Sequence, residues 1–340
     1  MNLNGKKILV TGGAGFIGSE LVRQLITSGA EVIVVDNLIT GSKENLSDVI
    51  NNDCRLEILD IRSIERVERL LKPIDIIFHL ACLGVRHSIH SPKENHEVNA
   101  TATLDLLLAS RKVGVERFVQ VSSSEVYGTG FNVPMDERHP AFPMTVYGAS
   151  KLAGECYARA FYRSYEYPTV IVRPFNTYGP RSHHEGDSGE VIPKFLLRCL
   201  AGRPIIIFGD GRQTRDFLFV SDTARGILLA GLEDKAVGKT INIASGKEIS
   251  INDLVEEVAA ITGKARSQIE HYPPRPGDTL RLYADISAAR KLIGFSPTYS
   301  LREGLKKLEE WYVEQGVTPE KLLEDEVVQN WDRSQISYNG

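Results

Sequence analysis

The sequence predicts a doubly wound α/β fold, a parallel sheet with helices on both faces, followed by a smaller α/β unit. Three observations point there. Short β-branched runs alternate with stretches of helical periodicity through the first half, and a glycine-rich turn follows the first run directly. A chain of 340 residues with 42% hydrophobic and 25% charged composition can bury a core of that size.

In order, the runs are residues 7–10, 31–36, 56–59, 75–80, 117–122 and 169–173, each reading as a short buried strand. Segments between them, such as 19–28 and 64–71, carry the helical period. Near Asn176 the texture changes. Pro, Gly and His accumulate through residues 178–189, and strand-like and helix-like pieces then alternate without a strict βαβ rhythm up to Ser296. A first domain over residues 1–175 and a smaller one over 176–316 are expected. The two interleave, because residues 216–220 and 239–243 look like strands returning to the large sheet. Residues 317–340 form an acidic tail, with Glu320, Glu324, Asp325 and Glu326 expected on a solvated helix that ends in a frayed SQISYNG.

The bulk numbers exclude several classes. A formal charge of −4 gives no electrostatic support for a nucleic-acid or anionic-membrane partner, so any phosphate must meet a local site. Cys54, Cys82, Cys156 and Cys199 stand far apart, without metal-like spacing, and read as thiols of a reducing compartment. The start, MNLNGKKILV, lacks the apolar region of a signal peptide, and the densest apolar stretch, residues 74–85, falls short of the roughly 18 residues that span a bilayer. A cytoplasmic protein is expected.

Directly after the first strand stands Thr11-Gly12-Gly13-Ala14-Gly15-Phe16-Ile17-Gly18, with a helical pattern from Ser19. Glycines there let the backbone turn tightly, approach a pyrophosphate and pack helix on strand, while the helix N-terminus offers N–H groups to the anion. Asp36 ends the second strand about 20 residues on, where a carboxylate accepts hydrogen bonds from an adenosine ribose. It would repel a 2′-phosphate, so NAD is predicted over NADP. This makes the first domain a Rossmann-type, NAD-binding unit. Asp60 and Ile61, after the third strand, are placed near the adenine.

Val121-Ser122-Ser123-Ser124-Glu125-Val126-Tyr127-Gly128 follows the fifth strand, and Tyr147-Gly148-Ala149-Ser150-Lys151 opens a helix-like segment. A tyrosine and a lysine four apart share one helix face. A phenol of ordinary pKa near 10 needs a bias of about 4 kcal/mol to act as a base near neutrality. The Lys151 ammonium and the nicotinamide charge are expected to supply it.

With these motifs in this order, the chain resembles the extended short-chain dehydrogenase/reductases of the nucleotide-sugar epimerase/dehydratase group, over about residues 6–313. The resemblance implies that Ser123, Tyr147 and Lys151 form the catalytic triad. It implies that Gly12, Gly15 and Gly18 are the cofactor glycines and that Leu80-Ala81-Cys82 lies along the cofactor. Family members usually carry Ala where this chain has Cys82, which reads as packing. Phe16, Ile17, Asn37, Asn99, Ser122 and Pro174 complete the candidate NAD contacts. A homodimer is also implied, through helices around residues 100–111 and 150–162. Both stretches are apolar on more than one face, as at Leu104, Leu106, Leu107 and Leu108.

Downstream, Arg173-Pro174-Phe175-Asn176-Thr177-Tyr178-Gly179-Pro180-Arg181 resembles the family segment bordering nicotinamide and sugar, with Asn176 expected on the substrate. Val191-Ile192-Pro193-Lys194-Phe195 resembles the segment beside the nucleotide base, with Val191 and Lys194 as contacts. Arg215 and Arg275, the latter followed by Asp278, fit the arginines that clamp the diphosphate, a bidentate role suited to guanidinium. The loop His183-His184-Glu185-Gly186-Asp187 lacks the spacing that converges metal ligands and reads as a mobile lid. His87, His90 and His96 are assigned to a loop and a helix start, and no metal is expected.

Oxidation at C4 opens epimerisation, dehydration or decarboxylation. Ser123-Ser124-Glu125 is similar to the Thr-Ser-Glu of UDP-glucuronate decarboxylases and GDP-mannose 4,6-dehydratases, with Ser124 on the substrate and Glu125 as a catalytic group. Gly84-Val85-Arg86-His87-Ser88 instead looks like the loop of UDP-sugar 4-epimerases, and its Arg86 suits a C6 carboxylate or a phosphate. The reading leans to a lyase-type outcome, decarboxylation of UDP-glucuronate or 4,6-dehydration of a nucleotide hexose. 4-Epimerisation is the alternative. A non-catalytic NAD-sensing regulator is disfavoured by the intact Ser123/Tyr147/Lys151 set, and an NADPH reductase by Asp36.

Overall fold

In the computed structural model, the alternation of apolar runs and amphipathic segments becomes a seven-stranded parallel sheet. The structure describes residues 2–50, 53–186, 188–263, 268–275, 279–329 and 331. The strands are β1 (Lys7–Thr11), β2 (Glu31–Asp36), β3 (Cys54–Ile58), β4 (Ile76–His79), β5 (Arg117–Val121), β6 (Thr169–Pro174) and β7 (Thr240–Ile243). Their spatial order is β3-β2-β1-β4-β5-β6-β7, so the winding reverses between β1 and β4. In such sheets ligands bind at the carboxyl ends of the strands, at that reversal.

Helices on both faces explain why the strands are apolar throughout. Ile8, Val10, Val34 and Phe78 pack to one side with Leu21 and Leu25 of the first helix, Phe16–Thr27. Leu9, Val35, Ile77 and Phe118 pack to the other with Leu106 and Leu107 of the helix Ala102–Val113. A third cluster joins the helices Val191–Leu200, Ile251–Thr262 and Leu301–Glu314 through Phe195, Leu254 and Leu308. Beneath them Ile205–Phe208 pairs in parallel with Ile269–Tyr272. No helix among the described residues is long and apolar enough to cross a membrane.

Several local expectations shift. The first helix starts at Phe16, not Ser19, because Gly15 is already the extended N-cap at φ −77° and ψ 179°. Of the two returning strands, Thr240–Ile243 joins the large sheet beside β6. Phe217–Phe219 does not. It pairs with Asn176–Tyr178, an edge into which β6 runs through Pro174-Phe175. The buried Asp216 carboxylate then accepts from Ser245 N at 2.8 Å and Gly246 N at 3.0 Å, tying this second sheet to the loop after β7.

The tail is corrected in part: Glu320, Glu324 and Asp325 are exposed as expected, but the helix is short and Glu326 is not solvated. Its helix spans Pro319–Leu322 only, and the chain then turns back onto the third core, where Leu323 is buried. The Glu326 side chain is 5% exposed and meets Arg198 Nε at 2.8 Å. A carboxylate paired with a guanidinium can leave water, which a count of acidic residues does not reveal.

Candidate active site

The carboxyl ends of β1, β2, β4, β5 and β6 open into one cavity of about 1350 Å3. Its first half is built by the glycine turn. Gly12 sits at φ +70°, and a Cβ there would lie 2.6 Å from Ala81 N, because the ends of β1 and β4 touch at the sheet reversal. A Cβ on Gly18 would meet Gly12 O at 2.1 Å, so the helix can start against the turn only without a side chain. Gly15 caps the helix without a side-chain hydrogen bond, leaving its first N–H groups to face the cavity.

Asp36 does more than the sequence suggested. Its carboxylate accepts from Ala14 N at 3.0 Å and Leu38 N at 2.9 Å, binding the glycine turn to the end of β2 while lining the cavity. Burial raises its pKa against the pull of these two N–H groups. Asp60 also lines the cavity, yet its carboxylate is held by Arg62 and by Asn37 Nδ2 at 3.0 Å. The Arg62 hydrogen bonds take it down to about 2. Phe16, Ile17, Asn37, Ile61, Leu80, Ala81, Cys82, Ser122 and Pro174 face the same space. The residues present fit a dinucleotide: a cradle that a Cβ would fill, a free helix N-terminus, an acid at the ribose position, and a buried Ser122 Oγ without a partner among the described residues.

Asn99 is the exception among the cofactor candidates. It lies in a π-helical turn, Glu97–Thr101, outside the cavity lining. Its amide is spent on Leu83 N and O, Asn95 and Ser150, a buried lattice that fixes the segment after β4 behind the cavity wall.

Ser123, Glu125, Tyr147 and Lys151 all line the cavity. Ser123 follows β5 and caps a short 3-10 turn, accepting from Glu125 N at 3.1 Å. Thr145 caps the helix Val146–Tyr165 by accepting from Gly148 N at 3.0 Å, which puts Tyr147 and Lys151 in its first turns. A Cβ on Gly148 would stand 2.7 Å from Glu125 O, so helix and serine turn are in direct contact. Burial pushes the Tyr147 phenol well above its ordinary value; the Cys82 thiol adds to this, the Ser123 hydrogen bond opposes it, and Glu125 raises it further. Lys151 Nζ donates to the Val121 carbonyl at 2.6 Å. The downward pull expected from Lys151 is not among the influences on the phenol.

Arg86, Ser124, Asn176, Val191, Lys194, Arg215 and Arg275 line the same cavity. Asp278 lies outside the described residues. Asn176 Oδ1 is buried without a hydrogen-bond partner among the described residues, and its residue faces the cavity. Arg215 Nη1 donates to Thr279 O at 2.6 Å. Burial takes Lys194 down to about 8; Glu326 opposes the shift, while Arg86, Arg275 and Arg198 add to it.

Sequence reasoning missed Glu190, a cavity carboxyl that burial raises to about 7 although His183 and Arg86 pull it down. It also missed Phe208 and, from the tail, Glu326, Val328 and Trp331. No spacing rule marks them, since each arrives through a long-range contact. The loop read as a mobile lid is tied down over residues 183–186, and Asp187 lies outside the described residues. Glu185 accepts from His184 N at 2.9 Å, and Gly186 N donates to Asp325 O at 2.9 Å. His87 and His90 stand on the helix Val85–His90 and His96 ends Pro92–His96.

The NAD dependent epimerase/dehydratase family model matches residues 8–244. A putative UDP-glucose 4-epimerase of Methanocaldococcus jannaschii is 38% identical over 309 residues, 89% of this chain and 97% of that one. UDP-glucuronic acid decarboxylase 1 of Arabidopsis thaliana is 37% identical over 308 residues, 89% of this chain and 68% of its own. Among solved structures, the UDP-glucose 4-epimerase of Thermotoga maritima with UDP-glucose superposes with a TM-score of 0.86 at 35% identity. That match covers 92% of this chain and 100% of that one.

Proposed function

This chain belongs to the NAD-dependent epimerase/dehydratase family, and from that premise we propose that it oxidises C4 of a nucleotide-activated sugar and finishes with a lyase-type step assisted by Glu125. NAD, when bound, supplies the acceptor that takes the C4 hydride and can return it. Tyr147 takes the C4 hydroxyl proton, Ser123 orients that hydroxyl, and Lys151 fixes the floor beneath both through Val121. The resulting 4-keto sugar has an acidic C5 hydrogen; with a carboxylate at C6 it is a β-keto acid that loses CO₂. The observation that carries the lyase reading is Glu125 itself, which lines the cavity and whose carbonyl is packed against Gly148 beside Tyr147. It supports decarboxylation of UDP-glucuronate or 4,6-dehydration of a nucleotide hexose, with Arg86 suited to a C6 carboxylate.

The second reading is 4-epimerisation, favoured by the names of the 38%-identical relative and of the structural neighbour. It needs only Ser123, Tyr147 and rotation of the keto sugar. Incubation with UDP-, GDP-, dTDP- and CDP-sugars, with products resolved by NMR, separates the two. A pentose or a 4-keto-6-deoxy product is expected. A C4 epimer of unchanged composition selects the second reading.

We also propose a homodimer through the helices Ala102–Val113 and Val146–Tyr165. Leu106 and Leu107 are buried in the chain's own core, but Leu108 is 51% exposed, and Tyr162 and Tyr165 stand exposed on the second helix. Sedimentation at micromolar concentration should show a dimer, and Leu108→Glu should shift it to monomer. A wild-type protein that sediments as monomer refutes the interface.

A further inference from the structure

We propose that the returning C-terminal segment completes the nucleotide end of the cavity, with Trp331 as an aromatic wall for the nucleobase. This rests on the nucleotide-sugar reading above. The segment is built into the site: Glu326 pairs with Arg198 at 2.8 Å, with side chains 5% and 11% exposed. Lys194 Nζ donates to Val327 O at 2.7 Å, so the segment holds two cations of the helix Val191–Leu200 in place. Trp331 lines the same cavity. The Trp331 indole is near-perpendicular to the Phe208 ring, with centroids 4.6 Å apart, and the Arg275 guanidinium lies over the indole, 5.1 Å from its centroid.

The chemistry of that corner is uneven in an informative way. Lys194, Arg215 and Arg275 supply positive charge, while Phe208 and Trp331 beside them supply aromatic rings, the indole already carrying Arg275 over one face. An inorganic phosphate would use the cations only. A nucleoside diphosphate uses both, anion on guanidinium and ring on indole. Trp331 is thus a specificity and positioning residue for the base.

The chain has two tryptophans, so Trp311→Phe leaves Trp331 as the single indole reporter. In the full-length NAD-loaded protein, UDP and dTDP should quench it saturably. In an otherwise wild-type chain, Trp331→Ala should weaken UDP and dTDP by about tenfold, the scale of losing one base–aromatic contact, and Trp331→Phe should restore most of it. Inorganic pyrophosphate should bind wild type and Trp331→Ala alike, with NAD content unchanged. Equal UDP affinity in wild type and Trp331→Ala overturns the proposal, as does an equal loss for pyrophosphate, which would make the segment a support for the cations alone. A wild type that binds no nucleoside diphosphate overturns the nucleotide-sugar reading with it.

Discussion

Tyr147→Phe is expected to lower the rate of C4 oxidation by about 10³-fold while the protein still folds and holds NAD, since general acid–base groups contribute roughly 10² to 10⁴. Only the hydroxyl is lost and the ring stays in place, so the structural cost is about 1 kcal/mol at most, the usual worth of one hydrogen bond. The pH dependence gives the sharper test. Burial, Cys82 and Glu125 hold the phenol above its ordinary value, with only the Ser123 hydrogen bond pulling down. Deprotonated phenol is therefore scarce near neutrality, and kcat/KM should climb with pH on the acid side. Single-turnover formation of reduced nicotinamide, followed across pH, should show that limb in wild type and lose it in the variant. A Tyr147→Phe protein within tenfold of wild type would remove Tyr147 from the chemistry.

What could be read from the chain alone is what lies in consecutive residues. The glycine turn, Asp36 and the Tyr147/Lys151 pair are short patterns placed by one strand end or one helix turn, and all of them reach the cavity. The large sheet was legible for the same reason, because strands buried on both faces must be apolar at every position. Contacts that depend on distant segments were not. Asn99 sits in the right stretch, yet a π-helical turn commits its amide to Leu83, Asn95 and Ser150. The strand at Phe217–Phe219 has the composition of a sheet strand, but its partner is set by where β6 bends. In the tail, Glu320, Glu324 and Asp325 are exposed as read, but Glu326 was counted without its partner, and Arg198 lies 128 residues before it.

Glu125→Gln is the change that decides between the two readings of the reaction. The main chain of Glu125 is clamped between Ser123 Oγ and the start of the helix that carries Tyr147, and the residue lines the cavity beside that phenol. If the carboxylate removes the C5 proton or otherwise assists the second half-reaction, the amide should keep folding, NAD binding and the first hydride transfer. Product formation should then fall by about 10²-fold or more. Reduced nicotinamide should accumulate after mixing with substrate, whereas little should form in Tyr147→Phe. The same variant should also move the pH limb of the first step to lower pH, because removing the Glu125 anion takes away one influence that raises Tyr147. A merely structural carboxylate predicts something else: loss of stability and of both half-reactions together, with no trapped cofactor. Full turnover by Glu125→Gln would withdraw the lyase reading and leave 4-epimerisation, in which Ser123 and Tyr147 suffice and the keto sugar need only present its other face before the hydride returns.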